Sequence, residues 1–316
     1  MNVAVIGLGL IGGSLLRALS AAGHEVTGFD ADPATRALAA DAGHRVAGSV
    51  PEAAEGADVV ALAVPLTALP EVLAGLSGHR GLITDVTSVK GPVLDLARKH
   101  GLARFVGGHP MAGKETSGFA AADPALFAGC VWVLSLEPET PLDDWLALAA
   151  LCTTLGARVV PATAAEHDRA VAQVSHVPHL LAAALARQLA GNPLAGALAA
   201  GSFRDGTRVA ATRAELTAAM CGGNAIEVEH TLHAVLGDLH HLHDLLETPD
   251  PIEALIPPLA AASDLRRAWP PHPADGVIEM PAEAGRLLAL GRAGGWVTAV
   301  ADDRRTVTTK APEAPR

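Results

Sequence analysis

Short apolar runs and helical spacing alternate through the first half of the chain. Six runs predict strands, at residues 3–6, 25–29, 58–64, 81–86, 131–136 and 157–160. Between the strands, apolar residues such as Leu15, Leu16 and Leu19 recur at helical intervals. Strands that alternate with helices indicate an α/β fold with a doubly wound parallel sheet, and we expect this sheet to finish by Pro161.

From residue 163 onward the pattern is helical. Thr163 and Glu166 form a T-x-x-E capping box, and there we place the end of the first domain, residues 1–163. The second domain, 164–262, is predicted to be all-helical, with a leucine seam that favours packing against a second copy of the chain. Prolines multiply from 248 to 273, where regular structure is expected to thin out.

The C-terminal tail, residues 263–316, predicts a short α+β segment. Its pattern indicates a strand, a helix and two further strands. Two interpretations stay open: a structural appendage, or a partial form of a regulatory ACT-like module. The patterned part of the tail has about 40 residues, which are too few for the complete βαββαβ unit of such a module.

Three glycines at the first strand indicate a dinucleotide site. Gly7, Gly9 and Gly12 stand in G-x-G-x-x-G spacing between a strand and a helix, which is typical of a Rossmann-type domain. Asp30 ends the second strand, where a carboxylate accepts hydrogen bonds from the adenine ribose, and the next two residues offer no arginine for a 2′-phosphate. We therefore expect NAD rather than NADP; the alternative is a structural turn that needs no ligand.

Charge and composition narrow the classes of partner. A net charge of −11 without a basic run argues against nucleic acid and against an anionic membrane surface. No apolar run reaches the roughly 18 residues of a membrane span. The three cysteines are scattered, so we expect neither disulfides nor a zinc site, and a reducing, cytoplasmic location. Five histidines between 230 and 243 alternate with the leucine seam, which fits a solvated helix face better than a metal site.

The loop at residues 107–119, G-G-H-P-M-A-G-K-E-T-S-G-F, holds the strongest candidate for chemistry. A histidine fixed by a following proline, His109, suggests an acid or base beside the nicotinamide. The alternative is a loop histidine bonded only to backbone. Lys90 and Lys114 either add positive potential for an anionic substrate or lie on the solvated surface.

Five motifs in order carry a resemblance to a known family. They are G-L-G-L-I-G-G-S, T-D-V-T-S-V-K, G-G-H-P-M-A-G, E-H-D-R-A-V-A-Q-V-S-H-V-P-H and G-S-F-R-D-G-T-R. Over residues 1–245 the chain resembles the prephenate dehydrogenases, a family that includes arogenate and cyclohexadienyl dehydrogenases. The resemblance implies NAD-dependent oxidative decarboxylation of prephenate to 4-hydroxyphenylpyruvate in tyrosine biosynthesis. The leucine seam of the helical domain predicts a homodimer joined through residues 166–247.

The resemblance also implies a role for individual residues. His109 matches the catalytic histidine that takes the hydroxyl proton, and Ser88 matches a residue that hydrogen-bonds near that hydroxyl and orients the histidine. The substrate dicarboxylate would be bound by Arg208 and His179, and Glu115 matches a carboxylate that gates the substrate arginine.

Three alternatives remain at this point. Where the family often has S-D-P-x-x-W, residues 212–217 read T-R-A-E-L-T, so the choice between prephenate and arogenate stays open. A β-hydroxyacid dehydrogenase would need a lysine on the helical domain, but none lies between Lys114 and Lys310. A non-enzymatic NAD-sensing protein would not need the full set of catalytic and substrate residues. For His176 we expect a packing role.

Overall fold

The computed structural model describes residues 1–114, 116–270, 272–274 and 276–313. The chain divides into two compact units. The first comprises Met1–Asp168 and Gly276–Ala311, and the second comprises Arg169–Asp275 and Pro312–Arg316. Most of the C-terminal tail therefore packs within the first unit, whereas the sequence pattern set it apart as a segment of its own.

Six parallel strands form the first sheet, as the alternating pattern predicted. In chain order they are β1 (Asn2–Ile6), β2 (Glu25–Phe29), β3 (Arg45–Val46), β4 (Val59–Leu62), β5 (Leu82–Asp85) and β6 (Phe105–Val106). Their spatial order is β3-β2-β1-β4-β5-β6. This is the dinucleotide-binding order, in which ligands bind beyond the carboxyl ends of the strands where the order reverses, next to β1.

Helices cover both faces of this sheet. They are α1 (Leu10–Ala21), α2 (Pro33–Asp41), α3 (Val50–Ala54), α4 (Leu69–Gly75) and α5 (Gly91–Lys99). Alternate residues of β1 point to opposite faces: Val3 and Val5 pack in the cluster that contains α1, and Ala4 and Ile6 pack in the cluster that contains α4 and α5. Burial on both faces explains why these strands are continuous apolar runs.

The next strands do not continue the first sheet, which corrects the prediction. They are β7 (Gly108–Pro110), β8 (Val131–Ser135) and β9 (Arg158–Ala162), with α6 (Leu142–Thr154) between the last two. The pair β8 and β9 is parallel, but β7 runs antiparallel to β8. An apolar run predicts a strand without specifying which sheet the strand joins, and the alternating pattern alone could not show the division.

Within the described residues, seven α-helices lie between β9 and residue 268. They are α7 (Ala164–Val171), α8 (Val177–Ala186), α9 (Pro193–Leu198), α10 (Gly201–Thr207), α11 (Ala214–Gly223), α12 (Ala225–Leu246) and α13 (Pro251–Arg267). The predicted capping box at the start of α7 is present: Thr163 Oγ1 accepts the Glu166 N–H at 3.2 Å, and Glu166 Oε2 accepts the Thr163 N–H at 2.9 Å. Between α7 and α8 the backbone forms a π-helical turn, Ala172–His176. Pro178, which has no N–H to donate, lies two residues after this turn.

Helix α13 contradicts the prediction that regular structure thins out after residue 248. It runs for 17 residues with Pro257 and Pro258 inside it. Pro251 occupies the first turn, where a missing N–H costs nothing, and the Asp250 side chain accepts the Glu253 N–H at 3.3 Å. The two internal prolines are adjacent, so the two missing N–H donors belong to the same turn, and the other turns keep their backbone hydrogen bonds. No helix of the described residues is both long enough and apolar enough to cross a bilayer.

The tail completes the second sheet. It contains β10 (Ile278–Pro281), α14 (Ala284–Arg292), β11 (Trp296–Val300) and β12 (Thr306–Lys310), and the sheet order is β10-β12-β11-β9-β8-β7. Strand β11 pairs antiparallel with β9, with Val297 opposite Val159. Val297, Leu287 and Val307 are fully buried in the same core as Val159. The strand and helix positions predicted for the tail are confirmed, and this sheet does not end at Pro161.

Candidate active site

The glycine turn between β1 and α1 has room for a ligand. Gly7 has a φ of +93°, and a side chain there would overlap the carbonyl oxygen of Ala63. A side chain at Gly12 would overlap the carbonyl oxygen of Gly7. At Gly9, by contrast, an added Cβ would meet no atom within 4 Å. The fold itself requires Gly7 and Gly12, whereas the open space at Gly9 fits the close approach of a pyrophosphate to the helix N-terminus.

Asp30 is held beside this turn. Its Oδ2 accepts the Leu8 N–H at 2.7 Å, and its Oδ1 accepts the Asp32 N–H at 2.9 Å. Arg36 lies nearby, with Nη1 donating to the Asp30 carbonyl at 2.6 Å and its guanidinium 5.6 Å from the centre of the Phe29 ring. The sequence pattern gave no reason to expect an arginine here. Because Arg36 already bonds backbone carbonyls, the carboxylate of Asp30 is the charge that faces the turn.

His109 lies on β7 and bonds to a second histidine. Its Nδ1 is 2.8 Å from Nε2 of His167, and His167 Nδ1 is 2.7 Å from Oδ1 of Asp168. His109 is half-buried, whereas His167 and Asp168 on α7 are buried. Sequence reasoning missed both residues of α7, because E-H-D at the start of a helix is the pattern of a solvated first turn.

Asp168 is bound by the N-terminus of α5. Its Oδ1 accepts the Lys90 N–H at 2.8 Å and its Oδ2 accepts the Gly91 N–H at 2.7 Å. Burial alone would raise the pKa of Asp168, but the hydrogen bonds from His167, Gly91 and Lys90 lower it overall. Burial lowers the pKa of His167, although its bond to Asp168 opposes this. At neutral pH the aspartate is therefore charged and His167 is neutral.

Lys90 is buried beneath the same loop, which corrects the view of it as solvated surface. Only 1% of it is exposed, and its ammonium forms an ion pair with the fully buried Asp85. Lys90 Nζ also donates to the Gly108 carbonyl at 2.6 Å, and Asp85 Oδ1 accepts the Gly108 N–H at 3.1 Å. Both backbone polar groups of Gly108, the residue before His109, are thus hydrogen-bonded to the buried ion pair. Burial lowers the pKa of Lys90, while Asp85 raises it.

Ser88 lies half-buried in the loop between β5 and α5. The contact that orients His109 on its Nδ1 side is made by His167. The role predicted for Ser88 stays a prediction. Lys114 forms a 2.7 Å ion pair with Asp123, and both side chains are exposed.

The predicted substrate residues Arg208 and His179 both belong to the helical unit. Arg208 is exposed at the start of a 3-10 turn, Arg208–Ala211, after α10. His179 is half-buried on α8, and its Nδ1 is 2.8 Å from the Ser175 carbonyl, which can only accept. Nε2 is therefore the nitrogen of His179 that carries the lone pair when the ring is neutral. Glu115 lies outside the described residues.

His176 is fully buried, in agreement with a packing role. Its Nδ1 is 3.2 Å from Nδ2 of Asn224, which is also buried. Ala172, Val177 and Val228 form the small core around it. Among residues 1–114, 116–270, 272–274 and 276–313, no group of three or more histidine, cysteine or acidic side chains is arranged to hold a metal ion.

Two family models match consecutive parts of the chain. The nucleotide-binding domain of prephenate dehydrogenase matches residues 15–161, and the dimerization domain of prephenate dehydrogenase matches residues 163–257.

Curated relatives agree with these models. A prephenate dehydrogenase from Lactococcus lactis is 36% identical over 66% of this chain and 61% of its own length, so the chain spans less than two thirds of that relative. A cyclohexadienyl dehydrogenase from Zymomonas mobilis is 32% identical over 79% of this chain and 89% of its own length.

Solved structures give the same result. A Corynebacterium glutamicum structure assigned as a prephenate dehydrogenase has a TM-score of 0.79 and 36% identity, covering 85% of this chain and 90% of its own. The Aquifex aeolicus prephenate dehydrogenase in complex with hydroxyphenyl propionate and NAD+ has a TM-score of 0.77 and 27% identity. The match covers 84% of this chain and 97% of the Aquifex aeolicus chain. In sequence and in fold, this chain belongs to the prephenate dehydrogenase family.

Proposed function

We propose that the protein is an NAD-dependent prephenate dehydrogenase of tyrosine biosynthesis, which oxidises and decarboxylates prephenate to 4-hydroxyphenylpyruvate. The observation that carries this proposal is the placement of His109. Its ring is half-buried, and the bond from its Nδ1 to buried His167 fixes the orientation of a ring that can act as a general base. The same unit contains the open glycine turn and Asp30.

His109 is assigned the role of a base that takes up a proton early in the reaction and returns it at the end. His109 takes the proton of the ring hydroxyl as the carbinol C–H bond breaks. Bound NAD supplies the acceptor for the hydride. The bond to the ring carboxylate then breaks, carbon dioxide leaves, and the electron pair of that bond completes the aromatic ring and makes the ring oxygen a phenolate. His109 returns the proton to this oxygen and ends the cycle neutral.

Asp30 supports NAD over NADP. A 2′-phosphate beside its carboxylate would meet like charge at short range in a partly dry site, where the repulsion amounts to several kcal/mol. The Aquifex aeolicus relative was solved with NAD+. Gly7, Gly9 and Gly12 would hold the pyrophosphate, and Asp30 would hold the adenine ribose.

The substrate residues complete the proposal from the helical unit. Arg208 would bind a carboxylate of the dianionic substrate through its planar guanidinium. His179, whose Nε2 is the available acceptor in its neutral form, would contact the substrate, and Glu115 would gate Arg208.

Arogenate is the alternative substrate. The Zymomonas mobilis relative is a cyclohexadienyl dehydrogenase, and residues 212–217 of this chain lack the tryptophan that the family often has there. The test is a panel of prephenate and arogenate with NAD and NADP, in which reduced cofactor and carbon dioxide are both measured. We expect turnover of prephenate with NAD. If neither acid reduces either cofactor, the chain is a binding protein and the proposal fails.

We also propose a homodimer formed through the helical unit. Leu236, Leu239 and Leu246 on α12 are each more than 40% exposed in the single chain, so this part of the predicted seam is available to a second copy. We expect light scattering to give twice the chain mass of 32.1 kDa. Leu239→Asp should shift the mass toward the monomer, whereas Leu38→Asp, on the exposed face of α2, should not. A monomer mass at every concentration would exclude the dimer.

A further inference from the structure

His167 and Asp168 form a hydrogen-bonded chain with His109, and the family resemblance assigned neither of them a role. We propose that Asp168 and His167 are positioning residues that place the neutral His109 proton on Nδ1 and so leave the lone pair on Nε2. This inference rests on the proposed function in one respect, that His109 is the base. The tautomer itself follows from the hydrogen bonds and from the neutral state of buried His167.

The chain begins at Asp168, which can only accept. A charged carboxylate has no proton to donate, and this one receives three donors: the backbone N–H groups of Lys90 and Gly91 and the ring of His167. The two backbone donors lie at the start of α5, where the helix dipole also favours negative charge. Asp168 is therefore fixed in position and in charge.

His167 is ordered by this acceptor. Because Asp168 Oδ1 accepts at 2.7 Å, the His167 proton must be on Nδ1. A buried, neutral imidazole carries one proton, so His167 Nε2 has the lone pair. The charged groups close to His167 are Asp168, Lys90 and Asp85, and the last two neutralise each other in their ion pair.

His109 is ordered in turn by His167. Its Nδ1 lies 2.8 Å from the Nε2 lone pair of His167, so Nδ1 must carry the hydrogen. Nε2 of His109 is then the nitrogen that accepts a proton. Once Nε2 has accepted a proton, the His109 cation still donates through Nδ1 to His167. The negative charge of Asp168, which accepts from His167, then stabilises this cation. The same arrangement thus prepares the base and stabilises its protonated form.

Asparagine in place of Asp168 would disturb this order. Asparagine presents one oxygen and one NH2 group where aspartate presents two oxygens, and donors face both positions. If the NH2 group faces His167, it forces the opposite tautomer on His167 and then on His109. In serine proteases, asparagine for the buried aspartate of the triad retains the geometry but lowers kcat about 10,000-fold for this reason.

The decisive experiment is nitrogen-15 NMR of the histidine rings at neutral pH, with the His109 signals assigned by their loss in His109→Asn. We expect Nε2 of His109 to be an unprotonated, pyridine-type nitrogen in the wild type, and protonated in Asp168→Asn. An Nε2 that carries the proton in the wild type would overturn the inference. This measurement needs no turnover, so it stays informative if prephenate is not the substrate.

Kinetics of matched variants separate positioning from folding. For Asp168→Asn and His167→Leu we expect kcat to fall by roughly 100-fold to 10,000-fold with KM for the substrate changed less than about threefold. His167→Gln retains an oxygen that accepts from His109 and leaves α5 untouched, so it should recover at least about tenfold over His167→Leu. The control is His100→Gln, at the exposed position directly after α5. Equal kcat in His167→Leu and wild type would overturn the inference.

Discussion

Lys90→Met tests whether the buried ion pair supports the His109 loop. Methionine has a similar length, but it leaves the Asp85 carboxylate buried without its cation and the Gly108 carbonyl without its 2.6 Å donor. Breaking a buried pair costs about 3–5 kcal/mol. Asp85 keeps the Gly108 and Thr87 N–H donors at 3.1 and 2.9 Å, so we expect a loss at the low end, about 3 kcal/mol.

The assay is denaturant unfolding followed by tryptophan fluorescence. Trp132, Trp145 and Trp296 belong to the first unit, and the first two are buried, so the signal reports chiefly on the unit that contains Lys90. Because the chain has two units, the transition should be checked for more than one step before a free energy is taken from it.

Two further variants make the result specific to the pair. Lys99→Met, at an exposed position of the same helix, should change the free energy of unfolding by less than about 0.5 kcal/mol. Adding Asp85→Asn to Lys90→Met removes the uncompensated charge and should regain at least about 1 kcal/mol. If Lys90→Met unfolds at the wild-type denaturant concentration, the buried pair does not support this loop.

Three further predictions concern catalysis and pH. His109→Asn should lower kcat by roughly 100-fold to 10,000-fold and leave the NAD dissociation constant unchanged; a variant that retains most of its turnover would show that another group is the base. Arg208→Ala loses a charge-assisted bond of about 2–4 kcal/mol and should raise KM for prephenate roughly 30-fold to 1,000-fold, with Arg266→Ala as a control; an unchanged KM would remove Arg208 from the substrate site. Since burial lowers the pKa of His167, unfolding takes up a proton in weak acid. The stability that the wild type has above the unfolded pKa of about 6.5 is therefore lost as the pH falls toward the lower folded pKa of His167. His167→Gln lacks this titrating group, so calorimetry should show that its free energy of unfolding changes less than that of the wild type between about pH 7 and 5.

The parts of the fold that depend on local signals could be predicted from the sequence. Apolar runs between turns located the strands of the first sheet, and the glycine spacing located the turn where Gly9 leaves space for a ligand. The capping box of Thr163 and Glu166 marked the start of α7, because both of its bonds are made within four residues. In each case the residues that carry the signal also make the interaction.

The parts that depend on distant contacts could not be predicted. The pairing of Val159 with Val297 joins residues far apart in the chain, and the sequence of neither strand indicates which strand it will pair with. Lys90 has the side chain of a surface residue, and only its approach to Asp85 and Gly108 allows its burial. The role of His167 on α7 becomes visible only through its contact with His109, which lies on strand β7.

The tail also affects how the chain reaches its folded state. Strand β9 has β8 on one side and β11 on the other, and β11 is synthesised after helices α7 to α13. Until residues 276–311 have left the ribosome, β9 is an open sheet edge, and the core that will bury Val297, Val307 and Leu287 is incomplete. The second sheet is therefore completed only after helices α7 to α13 have been synthesised, and a chain truncated after α13 would carry a permanent edge open to pairing with other chains.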